Sequence, residues 1–168
     1  MHKAQLLKLT QYNLWANSLI SDWLIKCGEA NADVICESSF STLRKTVYHI
    51  YDAEYVWFFR LNHQDIAYWP PSRDFNYKLK EFAKILKAQS QVLIDLTATL
   101  SENQLHEEIS YANIKGDIFS NSITDIIQHV VNHGTYHRGQ LITMMRSSGF
   151  KGVGATDYIA YCRLKNTF

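Results

Sequence analysis

Four long stretches of this sequence repeat their apolar residues at helical spacing, and together they take up most of its 168 residues. The first runs from about Lys3 to Cys27, where Leu6, Leu9, Ala16, Leu19, Ile20 and Trp23 recur at spacings of three, four and seven. Such spacing lines one side of an α-helix with about 3.6 residues per turn. The second, about Thr42 to Leu61, carries Leu43, Val47, Ile50, Trp57 and Leu61, with Ser41 as its expected N-cap. The third, about Leu79 to Leu100, sets Leu79, Phe82, Leu86, Leu93, Leu96 and Leu100 at heptad-like intervals, a pattern of helices packed against near-parallel neighbours. The fourth, about Ile123 to Ser147, has Ser122 to cap it and Gly149 to stop it. A chain of this length builds one comfortable core, not two. The expected fold is therefore all-α: a four-helix bundle, as one domain over residues 1–168.

The segments between the helices qualify that picture. CGEANAD, residues 27–33, reads as a helix stop and a loop. NHQDIAYWPPSRDFNYK, residues 62–78, makes a long connection between the second and third helices, because Pro70-Pro71 removes donors and restricts the preceding backbone. A simple up-down meander does not follow from so long a connection. SYANIKGDIFSNS, residues 110–122, predicts a short extended segment or small hairpin around Lys115-Gly116, before the last long helix. The tail GATDYIAYCRL, residues 154–164, has room for a short fifth helix.

Charge and composition exclude several roles. The formal net charge is +1 and no block of like charge occurs. That argues against the electrostatic footprint of a nucleic-acid or anionic-membrane partner. No apolar run approaches the roughly 20 residues of a membrane span. The N-terminal stretch lacks the apolar segment and small-residue cleavage site of a secretory leader. Cys27, Cys36 and Cys162 are odd in number and form no CxxC, which fits free thiols in a reducing cytoplasm. The expectation is a soluble cytoplasmic protein with a small-molecule substrate.

Chemistry enters with the histidines of the fourth helix. In QHVVNHGTYHRGQ, His129, His133 and His137 are spaced by four, so all three climb one side of the helix. At ~100° per residue, His137 falls within ~20° of Val130 at the apolar centre, His133 within ~60°, and His129 at the margin, ~100° away. A buried imidazole must be hydrogen-bonded or metallated, and two neighbouring ones without partners are expensive. An H-x-x-x-H pair can chelate one metal beside its helix. His49 is the third candidate, beside the second helix's apolar stripe and flanked by the small Thr46 and Ala53. Three protein ligands with an open position are the donor set of a catalytic metal site. The plainer alternative, a hydrogen-bonded structural histidine, is the ordinary role of any one such residue.

Two charged residues also sit out of place. Glu54 falls on the apolar stripe of the second helix, and Arg138 follows His137 on the flank of the fourth. An inward Glu can orient a ligand imidazole from behind or pair with an arginine, the latter slightly preferred here. His129, Glu54 and Arg138 are thus candidates for the surroundings or mouth of the site. No P-loop, GxGxxG, nucleophile elbow or HExxH is present.

Three stretches carry a family resemblance: YNLWAN from Tyr12 to Asn17, HIYDAEYVWFFRL from His49 to Leu61, and NHGTYHRGQL from Asn132 to Leu141. In order and spacing the chain resembles the DinB / YfiT-like family of metal-dependent proteins, and the last stretch with its distant upstream histidine is the distinctive part. The resemblance implies a four-helix bundle, often a homodimer, with one divalent ion on His49, His133 and His137. It implies zinc, nickel, manganese or iron as that ion. Relatives include thiol-dependent transferases and isomerases acting with low-molecular-weight thiols such as bacillithiol or mycothiol. Tyr136 departs from the family, whose members often carry a further histidine there; the triad is untouched.

The expected function is therefore a metalloenzyme whose ion activates a thiol or a water, in the manner of a thiol-dependent S-transferase. A metal-dependent hydrolase is the nearest alternative, and a non-catalytic metal-binding stress-response protein is the alternative of another class. A homodimer is also expected from Tyr48, Tyr55 and Phe59, which lie opposite the second helix's apolar stripe and would leave an aromatic patch exposed on a monomer. The competing arrangement has the 62–78 connection or the C-terminal tail folding over that face within one chain.

Overall fold

The computed structural model describes residues 2–64, 69–113 and 115–165. Its long helices are α1 (Lys3–Cys27), α3 (Leu43–Leu61), α4 (Leu79–Thr99) and α5 (Ile123–Ser147). A single turn, α2 (Glu29–Ala32), follows α1, and α6 (Tyr158–Lys165) closes the described chain. The strands β1 (Glu108–Ala112) and β2 (Ile118–Ser122) pair antiparallel, Glu108 opposite Ser122 and Ala112 opposite Ile118, so the segment before α5 is a hairpin. Ser122 caps α5 by accepting from the Asp125 N–H. Among the described residues no helix is long and apolar enough to cross a membrane.

Two helix ends differ from expectation. The cap of α3 is Thr42, not Ser41: its Oγ1 accepts from the Lys45 N–H at 3.1 Å, because the helix begins one residue later than expected. Residues 27–33 are more than a loop. Gly28 ends α1 at φ 91°, and α2 then supplies acids to two other helices. Glu29 accepts the free N–H of Leu79 at the start of α4 at 2.8 Å, and with Asp33 it holds Arg44 of α3, each at 2.7 Å.

The bundle runs up, down, down, up. Lys3 reaches the Ala98 carbonyl while Lys87 pairs with Asp22, so α1 and α4 are antiparallel. Tyr48 lies against Phe82 and Glu54 bonds to Ser90, so α3 and α4 run the same way. A chain that must climb back along α3, about 28 Å for its 19 residues, needs a long connection. That requirement accounts for residues 62–78. Asp52 pins the returning segment by accepting from both the N–H and the hydroxyl of Ser72, at 2.7 Å each. Phe75 then covers Tyr48 and Tyr51, at ring separations of 5.7 and 5.3 Å. This corrects the expectation of an exposed aromatic face: Tyr48 is only 8% exposed, while Tyr55 and Phe59 stay half-buried and stacked on each other.

The core has two main apolar clusters with a polar layer between them. Ile20, Leu43, Ile50, Leu86, Leu141 and Met145 belong to one; Leu6, Leu61, Leu93, Ile126, Ile127 and Val130 belong to the other. Along each long helix the residues between these clusters are polar and buried: Asn13 and Asn17 on α1, Glu54 on α3, Ser90 on α4 and Arg138 on α5. Arg138, expected on a flank, is fully buried.

Candidate metal centre

α3 and α5 lie side by side and antiparallel, so Thr46 meets Met144, His49 meets His133 and His137, and Trp57 meets His129. Facing positions on the two helices bring three imidazoles together. The potential ligand atoms of His49, His133 and His137 all lie within 4.8 Å of one another, close enough to bind a metal ion. The Nε2 atoms of His49 and His133 face each other at 3.0 Å. His137 is 5% exposed, and the other two are half-buried. Thr46 and Ala53 are buried beside His49 on α3.

Burial sets the electrostatics. It pushes the His49 imidazolium down to about 4 and the His133 imidazolium down to about 3, with the neighbouring imidazoles adding to both shifts. Burial lowers His137 as well, against an opposing hydrogen bond to Gln140. All three are therefore neutral at pH 7, the form that donates a lone pair.

The donors fit a divalent ion. Three nitrogens at about 2.0–2.1 Å from a common tetrahedral centre lie ~3.4 Å apart, so closing a spacing of up to 4.8 Å takes side-chain rotations that move the donor atoms by about an ångström. Two Nε2 atoms face to face can share only one proton, whereas an ion satisfies both lone pairs. His133 Nδ1 is buried with no hydrogen-bond partner, which leaves that imidazole under-satisfied by protein groups alone.

Aromatic rings wall the group. Phe40 lies 4.2 Å from the His49 ring and 5.6 Å from that of His137, and Trp69 stands edge-on to His49 at 6.3 Å. Tyr136 approaches His137 at 5.0 Å and is otherwise 62% exposed. His49 and these two walls, Phe40 and Trp69, line a cavity of about 810 Å³, together with Tyr48, Asp52 and Phe75 and the charged Lys45 and Arg73.

A sequence profile described as the DinB family matches residues 1–166. This chain belongs to the DinB family. It is 27% identical over 169 residues to Protein DinB of Bacillus subtilis (strain 168), a match spanning 95% of each chain.

Within this DinB family fold, the other candidate residues take separate places. His129 is exposed, one turn before His133, with its ring 5.9 Å from that of His133 and 5.4 Å from Trp57. Glu54 points into the polar layer: Oε1 accepts from the side-chain amides of Asn13 and Asn17 at 2.6 and 2.7 Å, and Oε2 accepts from Ser90 at 2.8 Å. Arg138 Nη1 donates to the amide oxygens of the same two asparagines at 2.7 and 2.8 Å. The asparagines thus stand as dipoles between guanidinium and carboxylate. Burial pushes the Glu54 carboxyl up and Arg138 down; the hydrogen bonds to Glu54 and the charge of Arg138 oppose the first shift.

Several of these residues carry a sequence signal that the reading by apolar stripe passed over. Asn13 and Asn17 are four apart on the buried side of α1, and Gln140 lies one turn beyond His137. Phe40 has none, since it sits in the non-helical SSFST stretch.

The depressed imidazoles make the metal-free fold acid-sensitive. The unfolded chain takes up its protons near the ordinary histidine value of about 6.5, while the folded chain holds out to about 4 at His49. Stability is therefore full above that unfolded value and falls as pH drops towards the folded one. Urea unfolding of metal-free protein is expected to show a falling midpoint from pH 7 to pH 4.5. The fall should be shallower in His133→Gln; an equal slope in both would remove the histidines as its cause.

Proposed function

We propose that this chain is a metalloenzyme that holds one divalent ion on His49, His133 and His137 and activates a thiol or a water against a small-molecule substrate. Thiol transfer is the preferred chemistry, by family kinship. The observation that carries the reading is the convergence of three neutral imidazoles beside a cavity of about 810 Å³, which His49 lines. A bound divalent ion supplies one thing: it lowers the pKa of a thiol or water, giving thiolate or hydroxide near neutral pH. The chain supplies the rest. Its histidines present lone pairs, Phe40 and Trp69 screen them from bulk water, and the cavity beyond His49 receives the substrate. Of the ions the resemblance implies, zinc, nickel and iron suit imidazole donors, whereas manganese favours oxygen ligands. The protein works in the cytoplasm, where Cys27, Cys36 and Cys162 remain the free thiols of the structure.

Cobalt substitution tests the open position. Metal-free protein is expected to take up one Co(II) per chain, and its visible bands should shift when 2-mercaptoethanol is added. A spectrum indifferent to thiol, with bands of four protein ligands, would leave a structural site and end the enzymatic reading.

We also propose that the protein is a homodimer. Tyr55 and Phe59 remain partly open on α3, and Phe119 and Ile118 are 47% and 80% exposed on β2. Light scattering at low micromolar concentration is expected to give twice the chain mass; a mass near 19.5 kDa would refute the dimer.

A further inference from the structure

We propose that Gln140 is a positioning residue of this centre: its side-chain carbonyl holds the proton of His137 on Nδ1 and so turns the Nε2 lone pair towards the other two imidazoles. The inference rests on the metal-binding reading above and deepens it. Gln140 follows His137 by three residues on α5, so the two side chains meet on one face. His137 Nδ1 and Gln140 Oε1 lie 2.7 Å apart, and Gln140 Nε2 donates to Ser39 Oγ at 2.9 Å. A neutral imidazole has one N–H, and the partner of one nitrogen decides which role the other plays. A bare Nδ1 against a carbonyl oxygen at that distance would set lone pair against lone pair. Nδ1 therefore carries the proton, and Nε2 is left as the donor.

The same amide does a second job. Ser39 precedes Phe40, whose ring lies 4.2 Å from His49. One side chain thus joins the orientation of His137 to the segment that walls His49. His133 has no equivalent support, since its Nδ1 is buried without a partner. Gln140 is accordingly the residue behind the ligands whose loss should be felt most. Groups of this kind fix ring orientation and tautomer, and removing one typically lowers metal affinity by about 10–100-fold.

The test compares Gln140→Leu, Gln140→Glu and Ser39→Ala with the unaltered chain, all labelled with ¹⁵N-histidine. Long-range ¹H–¹⁵N correlation of the metal-free proteins at pH 7.5 reads the His137 tautomer. Competition with a chromophoric chelator reads zinc affinity, and thermal melting checks the fold. The unaltered chain is expected to show His137 protonated at Nδ1. Gln140→Leu should show a mixture and bind zinc about 10–100-fold more weakly. Gln140→Glu, whose carboxylate accepts the same proton, should keep the tautomer and most of the affinity. Ser39→Ala cuts only the tie to the Phe40 segment and should keep the tautomer.

An Nε2–H tautomer in the unaltered chain overturns the proposal, whatever the variants do. So does full affinity in Gln140→Leu, or an equal loss in Ser39→Ala, which would mean that Gln140 acts through the segment alone. If the unaltered chain takes up no zinc, the metalloenzyme reading fails instead. The Gln140 tautomer result then still stands or falls on its own spectrum.

Discussion

Alanine at His49, His133 or His137 is expected to weaken binding of a divalent ion by a hundredfold or more in each case. Structural zinc sites gain about 10–16 kcal/mol from four ligands, so one ligand carries ~3 kcal/mol, about a hundredfold in affinity. Metal analysis after dialysis against a weak chelator should find about one ion per chain in the parent protein and little in any of the three variants. His129→Ala is the control. Its ring lies 5.9 Å from that of His133 and outside the close group, so it should retain most of its metal. Equal loss in all four variants would refute the assignment of ligands. Full retention in His137→Ala would do the same, since that residue is the most buried of the three.

Arg138→Met should be the most damaging change in the core. It leaves the Glu54 carboxylate buried with its asparagine and serine donors but no counter-charge. Removing one partner of a buried charge pair costs about 3–5 kcal/mol, a large share of the 5–15 kcal/mol that holds an ordinary domain together. Glu54→Gln added to Arg138→Met should recover part of the loss. Gly134→Ala examines the same layer from the backbone side. Glycine inside an exposed helix usually gives way to alanine with a gain of up to ~1 kcal/mol. Here the new Cβ would meet Arg138 Nη1 at 2.7 Å and Asn13 Oδ1 at 3.0 Å, so the change should destabilise. Urea titration decides both. An Arg138→Met protein within about 1 kcal/mol of the parent would show that the layer is not a balanced ionic unit.

Local periodicity made the helices legible in the sequence. The bounds of α1 and α5 follow directly from apolar spacing, Ser122 and Gly149. The order of the helices was not legible, because direction depends on what the 62–78 connection must span, and two prolines say only that it is not helical. Ser41 and Thr42 are both good caps, and which of them captures the Lys45 N–H is settled by packing one residue further on. In the site, His133 and His137 fall towards the interior, and His129 at its margin, because of their angular distance from Val130 on the helix. Angular position could not say what Glu54 faced. Carboxylate, asparagines and guanidinium come from three different helices, and only tertiary structure brings them into one network. Phe40 had no periodic signature, since its role depends on His49 and His137, which lie on two different helices.

The polar layer has a consequence for how the helices may slide. Sliding α5 by one turn, about 5.4 Å, would carry Arg138 away from both asparagines and into oily surroundings, while Glu54 stayed behind as a lone buried anion. No such misalignment is available to α5 except at the cost of exposing or stranding a charge. Purely greasy interfaces tolerate slippage because one leucine replaces another. Here charge fixes the longitudinal setting of α1, α3, α4 and α5 at one level, and the histidines of α3 and α5 lie within about two turns of that level. The layer therefore works as a ruler: whatever its net contribution to stability, it makes one alignment of the two histidine-bearing helices the only inexpensive one.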